Sequence, residues 1–410
     1  MNKKIVAFVE PSFYGVSFVK AAYSMGCIVI AVVSSLDNPK LYGYEGICEK
    51  LLVADIKSID SVYNAIKNSE YYGKLDALIP ATDYASHITA KVGEMLELVG
   101  VPYEAALKAR NKDLAREAYQ AHGVPSAKFK RVKSFDEAVK AVKEIGFPVV
   151  VKPTNCASSQ NVFFVKNVED LRKAAVRMDE FKEIYMGFKV KEEYLIEEFI
   201  EGQEFSVELF QKDGRILFAT VTEKIVSPLP FFVEYQHVLP TSIFVDKKDD
   251  IINVAVSAAQ ALGIVNGPSH VEVKLSKSGP RIIEVNGRPG GDNISSDLLP
   301  NALGIDVFKA TVQYYLNIPI ELTSTKDQAV SVIYLVAKKN GIVSEIKGLS
   351  KLSSNENIIR YVITVKPGDY VKIPESSDDR LGYIIVKGKS SEEVKSEAIS
   401  ILNEITIVYK

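Results

Sequence analysis

Short apolar runs alternate with amphipathic stretches over the first quarter of the chain. Four runs are almost continuously apolar and are predicted as buried strands, at residues 4–9, 27–33, 51–53 and 77–79. Residues 16–25 and 58–69 repeat their apolar positions at helical spacing. Strands that alternate with helices predict a parallel sheet with crossover connections. We therefore expect a parallel α/β domain over residues 1–108.

The rest of the chain divides by its pattern into three further regions. Residues 109–192 are expected to form a small α+β subdomain, in which a capping box from Ser134 to Glu137 begins one helix. Residues 193–322 contain several strand-like runs and are expected to form a central antiparallel sheet. Residues 323–410 are expected to form a last α+β domain, without a cluster of chemically active side chains.

Polar residues follow the fourth predicted strand directly. Thr82 and Asp83 come just after it, at the carboxyl edge of a parallel sheet, where ligands usually bind. The alternative is that Asp83 only caps the next helix, and the sequence leaves both interpretations open.

Composition excludes several classes of partner. The 410 residues carry a net charge of −2 without a run of Lys or Arg, which argues against nucleic acid or an anionic membrane as a partner. The first apolar run is too short for a signal peptide or a membrane span. Cys27, Cys48 and Cys156 are scattered, which favours a reduced, cytoplasmic protein. Cys156 is expected to be an incidental, exposed thiol.

A predicted hairpin over residues 271–285 carries one carboxylate in each strand. Glu272 and Glu284 would lie nearly opposite one another on otherwise apolar strands, where two bare carboxylates repel. A divalent cation resolves that conflict, and Asn286 offers a further oxygen on the same face. The alternative is a hairpin with two solvated glutamates. We therefore predict a magnesium site.

The residues after this hairpin extend its chemistry. Arg288 is a fixed cation able to grip a phosphoryl group or an oxyanion. Gly290 and Gly291 let the backbone come close to a ligand. These three residues therefore predict a substrate site beside the metal site.

These motifs carry a resemblance, because HVEVKL and GPRIIEVNGRPGG resemble the metal-binding end of the ATP-grasp fold. The resemblance implies Mg²⁺–ATP held by Glu272, Glu284 and Asn286, with two Mg²⁺ ions that Mn²⁺ can replace. It implies that Arg288 holds an acyl phosphate. It also implies an order of four domains. These are a Rossmann-like pre-ATP-grasp domain (1–108), a lid (109–192), the ATP-grasp core (193–322) and a C-terminal ligase module (323–410) that closes the active site.

The predicted lid contains a candidate phosphate clamp. Lys152 ends an apolar strand and is followed by the small-residue loop TNCASSQN, whose backbone N–H groups can cradle phosphates. By resemblance, Lys112 at a helix start and Ser159 in the loop also face the nucleotide; a lysine at such a position is otherwise usually solvated. The loop departs from the family pattern because it lacks glycine. Asn155 and Asn161 are expected to supply left-handed backbone.

The segment YLIEEFI and the residues after it resemble the nucleotide hinge of the same family. The resemblance places adenine near Glu197, Glu198 and Ile200, and the ribose hydroxyls at Glu204. A diol is suited to a carboxylate acceptor, and adenine to apolar faces with hydrogen bonds at its edge.

The stretch SPLPFFVEYQHVLPT over residues 227–241 resembles a substrate loop of the L-amino acid ligases within this superfamily. The resemblance implies that Glu234 engages an α-ammonium group and that His237 lines the pocket or removes a proton from the attacking amine. A purely structural histidine is the alternative for His237. His270 is a further pocket candidate because it lies two residues before Glu272.

The combination predicts an ADP-forming carboxylate–amine ligase. ATP would phosphorylate a carboxylate, an amine would attack the acyl phosphate, and both substrates are expected to be amino acids. Two alternatives stay open, namely another carboxylate or bicarbonate as substrate, and a non-catalytic ATP-binding protein. Small molecules are the expected partners, and the resemblance allows a homodimer.

Overall fold

A four-stranded parallel sheet forms the amino-terminal part of the protein, in a computed structural model that describes residues 3–410. Its strands are β1 (Ile5–Val9), β2 (Ile28–Val33), β3 (Lys50–Val53) and β4 (Ala77–Pro80). Its helices are α1 (Val16–Ser24), α2 (Asn38–Tyr42), α3 (Ile59–Lys67), α4 (Ser86–Met95) and α5 (Tyr103–Arg110). The four predicted strands and the two predicted helices are confirmed, whereas α2, α4 and α5 were not predicted.

The order of this sheet is β3-β2-β1-β4, so the chain changes direction beside β1. Side chains of β1 alternate between two cores. Val6 and Phe8 pack towards the central sheet, and Ala7 and Val9 pack towards α3. Both faces are therefore buried, which explains why the strand is apolar at every position.

The next region, the lid, is a four-stranded antiparallel sheet on which two helices pack, α7 (Phe135–Ile145) and α8 (Val168–Glu180). The helix α6 (Lys112–Ala121) precedes it and packs on α5 and α9 (Val245–Leu262). The strands of the lid are β5 (Phe129–Val132), β6 (Val149–Pro153), β7 (Phe163–Val165) and β8 (Tyr194–Glu198), in the order β5-β8-β6-β7. The core between α7, α8 and this sheet is built of small and branched apolar side chains.

The capping box predicted for α7 forms only in part. The hydroxyl of Ser134 accepts a hydrogen bond from the backbone N–H of Glu137, as expected. The carboxylate of Glu137 instead accepts from the N–H of Lys133, one residue before the cap. The start of α7 is still satisfied, because both oxygens find backbone donors.

An eight-stranded antiparallel sheet is the centre of the molecule. Its first part consists of β9 (Gln203–Lys212), β10 (Arg215–Val226), β11 (Glu234–Leu239), β12 (Gly267–Ser276) and β13 (Gly279–Asn286). The long helix α9 (Val245–Leu262) covers the face formed by β9, β12 and β13. The segment 227–241 was predicted as a substrate loop, and this is wrong for its second half, because Glu234–Leu239 is a strand between two neighbours of the sheet.

The sheet continues into the carboxyl-terminal region without interruption. A π-helical turn at Ile294–Leu298 precedes α10 (Leu299–Ala302) and α11 (Val307–Tyr315). The remaining elements are β14 (Ala329–Leu335), β15 (Gly341–Lys347), β16 (Ile358–Ile363), β17 (Tyr370–Val371), β18 (Gly382–Gly388), α12 (Ser391–Glu404) and β19 (Thr406–Tyr409). The full order of the large sheet is β13-β12-β9-β10-β11-β14-β18-β16.

A smaller sheet, β17-β15-β19, and the helix α12 complete this region around a separate core. Because β14, β18 and β16 extend the central sheet, the regions on either side of residue 322 share one hydrogen-bonded structure. Across residues 3–410, none of the helices combines the length and the apolar character that crossing a membrane requires.

Candidate active site

A cavity of about 760 Å³ lies between the amino-terminal sheet, the lid, the central sheet and the segment before β18. Its volume is within the range of about 300–1,000 Å³ that small-molecule sites occupy. Fourteen of the predicted site residues line it: Lys112, Lys152, Ser159, Glu197, Glu198, Ile200, Glu204, Glu234, His270, Glu272, Glu284, Asn286, Arg288 and Gly291. Gly290 and His237 lie behind its wall. The structure thus brings together residues that are far apart in sequence.

The two carboxylates of the hairpin face one another as predicted. Glu272 of β12 pairs with Glu284 of β13 in register, and His270 pairs with Asn286. Each carboxylate contacts a lysine. Lys112 Nζ lies 3.0 Å from Glu284 Oε2, and Lys224 contacts Glu272. Three oxygen-bearing side chains on two adjacent strands fit the hard ligand set of Mg²⁺.

A buried lysine from β10 holds the other carboxylate of the hairpin. Lys224 Nζ lies 3.0 Å from Glu272 Oε1, 3.2 Å from Glu204 Oε1 and 2.5 Å from Glu234 Oε1. Burial opposes its charge, but the three carboxylates outweigh burial and raise the pKa of Lys224 well above its ordinary value. This one cation therefore connects the predicted ribose, metal and substrate ligands.

Lys152 is anchored from behind by a buried ion pair. Its Nζ lies 2.7 Å from Glu197 Oε2, and Arg116 of α6 donates to both oxygens of the same carboxylate. Burial opposes ionisation of Glu197, but Arg116 and Lys152 outweigh it and lower the pKa of Glu197 to about 2. Glu197, predicted as a nucleotide ligand, is thus occupied in holding Lys152 in place.

The loop after β6 takes the left-handed backbone that a glycine-rich loop would take. Ser158, Ser159 and Asn161 have φ values of 55°, 54° and 52°. Asn155, which was also predicted to be left-handed, is not; its side chain instead bonds the backbone of Lys189 and Lys191. Small side chains at Ser158 and Ser159 therefore replace glycine in this loop.

Cys156 in the same loop was predicted to be exposed, and the structure shows that it is buried. Its side chain packs with Tyr84 and Ile184. Burial raises the pKa of its thiol to about 11. Its carbonyl oxygen accepts a hydrogen bond of 2.7 Å from Lys112 Nζ, so the loop and the predicted metal ligand Glu284 share one lysine.

The apolar end of the cavity lies beside the last residues of β8. Ile200, Phe199 and Phe232 line it. The carboxylate of Glu198 is engaged by Arg281, with hydrogen bonds of 2.8 and 3.1 Å. The charge of Glu198 is therefore already paired where this residue meets the cavity.

Arg288 is held by the amino-terminal domain. Its Nη2 and Nε lie 2.9 and 3.1 Å from the two carboxylate oxygens of Asp83, and its guanidinium lies 5.0 Å from the ring centroid of Tyr14. The N–H of Ser86 in α4 donates to the backbone carbonyl oxygen of Asp83, and no side chain within residues 3–410 caps this helix. The alternative that the side chain of Asp83 caps α4 is therefore wrong. Asp83 instead fixes the orientation of Arg288 by a bidentate pair.

His270 and Gly290 converge on one buried carboxylate. His270 Nδ1 lies 2.5 Å from Glu208 Oε1, and the N–H of Gly290 donates to Glu208 Oε2 at 2.9 Å. Burial opposes the charge of His270, but Glu208 outweighs it and raises the pKa of His270 to about 9. A Cβ at position 290 would lie 2.7 Å from Glu208, so only glycine allows this approach.

Glu234 meets a second carboxylate and an arginine at the opposite wall. Asp292, at φ 49°, binds Arg380 Nη2 through Oδ1 at 2.6 Å, and Arg380 Nη1 lies 3.8 Å from Glu234. Burial and the neighbouring Asp292 raise the pKa of Glu234 to about 8 against the pull of Lys224. Glu234 and Asp292 are therefore a coupled pair of carboxyl groups, in which Arg380 outweighs burial and lowers the pKa of Asp292 while that of Glu234 is raised.

His237 does not line the cavity as predicted. It is fully buried behind Glu234, with Nε2 at 3.8 Å from Glu234 Oε2, and its ring meets Tyr334 edge to face. Within residues 3–410, neither of its ring nitrogens has a hydrogen-bond partner. Burial lowers the pKa of His237 to about 3, so the ring is neutral.

The carboxyl-terminal region was expected to lack active side chains, and this expectation is wrong. Asp378 and Arg380 line the cavity. The same segment fastens the lid, because Gln160 Nε2 donates to Asp378 at 2.5 Å and Arg177 pairs with Glu375 at 3.0 Å. This segment therefore closes the cavity beside the lid.

Comparison with known proteins assigns two parts of the chain. Residues 145–297 match the family described as ATP-grasp domain, and residues 333–410 match the family described as L-amino acid ligase C-terminal domain 2. The chain contains an ATP-grasp domain and an L-amino acid ligase C-terminal domain. The fold class and the resemblance predicted from the sequence are therefore confirmed. Ligases of this class use ATP and a divalent metal ion and form C–N bonds with release of ADP.

Named relatives of this ATP-grasp ligase include amino-acid ligases. It is 29% identical to the alanine–anticapsin ligase of Bacillus subtilis (strain 168) over 289 residues, which are 62% of this chain and 60% of that enzyme. It is 22% identical to the L-arginine-specific L-amino acid ligase of Bacillus subtilis over 352 residues, 84% of this chain and 83% of that enzyme. The chain thus spans less than two thirds of the first of these relatives.

A solved structure shows the same fold over its full length. The crystal structure of an L-amino acid ligase from Bacillus licheniformis superimposes on this chain with a TM-score of 0.83 and 22% sequence identity, covering 100% of both chains. At this identity the similarity establishes the fold of this ATP-grasp ligase.

Sequence reasoning missed several charged residues of this ligase, which are Arg116, Glu208, Lys224, Asp292 and Arg380. Glu208 and Lys224 are charges inside apolar runs, and that was the available signal for these two, since buried charges are retained only when they are paired. Their partners could not be named, because the register of the strands brings them together only in the fold.

Proposed function

We propose that this chain is an ADP-forming ligase that joins two amino acids through an acyl phosphate. The observation that carries the proposal is the meeting, in one cavity, of the opposed carboxylates Glu272 and Glu284 with Asn286 and Arg288. The likeness to named amino-acid ligases, and the matching carboxyl-terminal domain, support amino acids as the substrates.

The nucleotide would lie between the lid and the central sheet. Lys112 and Lys152 supply positive charge for its phosphates, and the loop around Ser159 supplies backbone N–H groups. The backbone near Glu198 and Ile200 binds adenine at the apolar end. Glu204 accepts hydrogen bonds from the ribose, as one carboxylate can from a diol.

The donor set of Glu272, Glu284 and Asn286 would hold two Mg²⁺ ions, which Mn²⁺ can replace. When bound, such ions neutralise phosphate oxygens and bring them close to the carboxylate that is phosphorylated. Lys112 and Lys224 each contact one of these two carboxylates, and this supports the proposal that both glutamates face positive charge. Lys112 is then free to turn towards the phosphates.

The reaction would occur beside Arg288. The carboxylate oxygen of the first amino acid attacks the γ-phosphorus of ATP, and the bond from that phosphorus to ADP breaks. The amine nitrogen of the second amino acid then attacks the acyl carbon, the carbon–oxygen bond to phosphate breaks, and the nitrogen loses a proton. Arg288, fixed by Asp83, stabilises the negative charge that develops on the acyl oxygens.

Glu234 would receive the α-ammonium group of the first amino acid, beside Asp292. His270 holds the loop of Gly290 and Gly291 against the substrate through Glu208. The resemblance implies that His237 lines the pocket or removes a proton, whereas its burial favours support of Glu234 from behind. Catalytic roles for Glu234 and His237 stay predictions.

The division into domains at residues 108, 192 and 322 and the homodimer also stay predictions. A homodimer would appear as twice the chain mass in light scattering of the purified protein. The three cysteines, all unpaired in the described residues, agree with the proposed reducing cytoplasm.

The test is phosphate release from Mg–ATP with each proteinogenic amino acid, singly and in pairs, with mass spectrometry of the products. We expect release with selected pairs and a product whose mass equals the two amino acids minus water. ATP binding without phosphate release for any pair would exclude amino acids as joint substrates. Release with bicarbonate or another carboxylate in their place would establish the alternative ligase.

A further inference from the structure

The amino-terminal sheet has a topological switch point that opens into the cavity. From β1 the chain crosses to β2 on one side, whereas β4 pairs with the other side of β1. In open α/β sheets, ligands bind in the crevice outside the carboxyl ends of the strands at such a point. Ser12, Phe13 and Tyr14 after β1 and Thr82, Asp83 and Tyr84 after β4 all line the cavity.

The crevice presents aromatic rings to the cavity. Phe13 is 65% exposed, although it is a large apolar side chain. Its ring centroid lies 5.2 Å from that of Tyr185 and 5.5 Å from that of Tyr42, and Tyr84 lies 6.1 Å from Tyr185. Exposed apolar surface inside a cavity marks a place where a ligand packs.

The backbone holds Phe13 in this outward position at a cost. Its φ is 46°, which is an outlier for a bulky residue. Glu10, a buried carboxylate that accepts bonds from Ser34 and Asn38, secures the start of the loop. A Cβ at Gly15 would lie 1.8 Å from the carbonyl oxygen of Ala81, so the loops after β1 and β4 are locked together. Strain maintained in this way is typical of ligand sites.

The crevice also holds a polar group without a partner. Ser12 is 1% exposed, and its hydroxyl makes no hydrogen bond to any of residues 3–410. Buried hydroxyls are normally bonded, so this one is available to a ligand that enters the cavity. An amino acid offers the carboxylate or ammonium group that it needs.

The crevice contacts Arg288, the residue beside which the proposed reaction occurs. Asp83, which belongs to the crevice, holds Arg288 at 2.9 and 3.1 Å. Glu234 is held instead by Lys224 of the central sheet, and Arg380 lies near it. The second amino acid must bring its amine next to the carbonyl carbon of the first. The proposed function places the first amino acid beside Glu234, so the crevice remains for the second.

We infer that the switch-point crevice binds the acceptor amino acid, the one whose amine attacks, and that it selects aromatic and large apolar side chains. Its side chain packs on Phe13, Tyr84 and Tyr185, and its backbone polar groups meet Ser12. The role of the bound amino acid as acceptor rests on the proposed function. The binding site itself can be tested without turnover.

The chain contains no tryptophan, which allows a direct binding assay. In the Phe13→Trp variant the single indole reports on the crevice, and Phe244→Trp, at a position 82% exposed and outside the cavity lining, is the matched control. We expect leucine and phenylalanine to change the emission of Phe13→Trp saturably, at roughly tenfold lower concentration than alanine or aspartate. The emission of Phe244→Trp should not change.

Equal responses in the two variants, or none at Phe13→Trp, would overturn the inference. Should Phe13→Trp fail to fold, Tyr185→Trp places the indole on the same wall. A saturable response in a protein that never releases phosphate would retain the crevice and discard the ligase proposal, so the two failures are distinguishable.

Kinetics give the second arm of the test. Phe13→Ala should raise the KM of an aromatic acceptor roughly tenfold and leave the KM of ATP unchanged, with Tyr370→Ala as an exposed aromatic control. Fragmentation of the dipeptide should place the aromatic residue at the carboxyl end. An unchanged acceptor preference together with a changed oligomeric state would show that Phe13 serves an interface instead.

Discussion

The two ends of the cavity are built in different ways. At the nucleotide end, charged side chains such as Lys152 and Lys224 stand on strands and are fixed by buried ion pairs. At the amino-acid end, the lining comes from loops of separate regions, including those of Phe13, Asp83 and Arg380. A strand register places an atom within tenths of an ångström, whereas loops are free to vary in sequence. The first end should therefore decide whether the reaction occurs, and the second which amino acids take part.

The largest effect should come from the centre of the sheet. Lys224→Met leaves the partly buried Glu204, Glu234 and Glu272 without the buried cation that they share, and removing one partner of a buried pair costs about 3–5 kcal/mol. We expect a loss of that size in the free energy of unfolding, measured by urea denaturation. Lys387→Met, at an exposed position of β18, is the control and should change stability by less than about 0.5 kcal/mol. Similar midpoints for both variants would contradict the role given to Lys224.

Arg288 stands where the two ends meet, so its loss should affect turnover more than stability. Arg288→Ala should cost about 3–4 kcal/mol of transition-state stabilisation, the scale for one oxyanion donor. The measurement is phosphate release at saturating substrates. Arg172→Ala removes an exposed arginine that lies over Phe135, and it should keep wild-type turnover. Wild-type turnover in Arg288→Ala would remove this residue from the mechanism.

A smaller effect should follow from loosening Arg288 without removing it. Asp83→Asn keeps the shape of the side chain but removes the negative charge that pairs with Arg288. A hydrogen bond to a charged group contributes about 1.5–3 kcal/mol. We expect kcat to fall roughly tenfold or more while the KM of ATP stays unchanged. Recovery of activity in Asp83→Glu would support a positioning role. Equal losses in kcat and in ATP affinity would point to general damage.

The smallest effect concerns pH. His237 is neutral in the folded protein because burial lowers its pKa to about 3, whereas an unfolded histidine titrates near about 6.5. Between these values the unfolded chain binds more protons, so stability falls as the pH falls below about 6.5, by up to about 1.4 kcal/mol per unit. His237→Asn should flatten the decline of the melting temperature between about pH 6.5 and pH 4.

The exposed residue His122 supplies the comparison for that series. His122→Asn should leave the slope of the wild-type curve unchanged, since its ring lies at the surface beyond α6. A slope that is the same in the wild type and in His237→Asn would mean that the ring is protonated in the folded protein.

Local pattern was sufficient for the hairpin of Glu272 and Glu284, because both strands and the turn between them are contiguous in sequence. It was also sufficient for the strands and helices around Lys152. Local pattern failed for β11, because prolines on both sides of this segment predict a loop. The segment forms a strand because it pairs with β10 and β14. Tertiary pairing overrode local propensity at that strand.

The electrostatic partners were out of reach for the same reason. Asp83 and Arg288 lie 205 positions apart, and only the closure of the amino-terminal sheet over the cavity makes them a pair. The burial of Cys156 likewise depends on Tyr84 and Ile184, which come from outside its loop. The residue types were sufficient to predict the reaction. Long-range packing determines which groups hold the predicted site residues in place.

The uninterrupted central sheet has a practical consequence for shortening this protein. Cutting the chain at residue 322 would remove β14 and leave the full length of β11, with Glu234 on it, as a bare edge. Unpaired N–H and C=O groups on such an edge recruit strands from other molecules. A fragment trimmed to the nucleotide-binding half should therefore aggregate, and engineering of this ligase has to exchange side chains within the complete sheet.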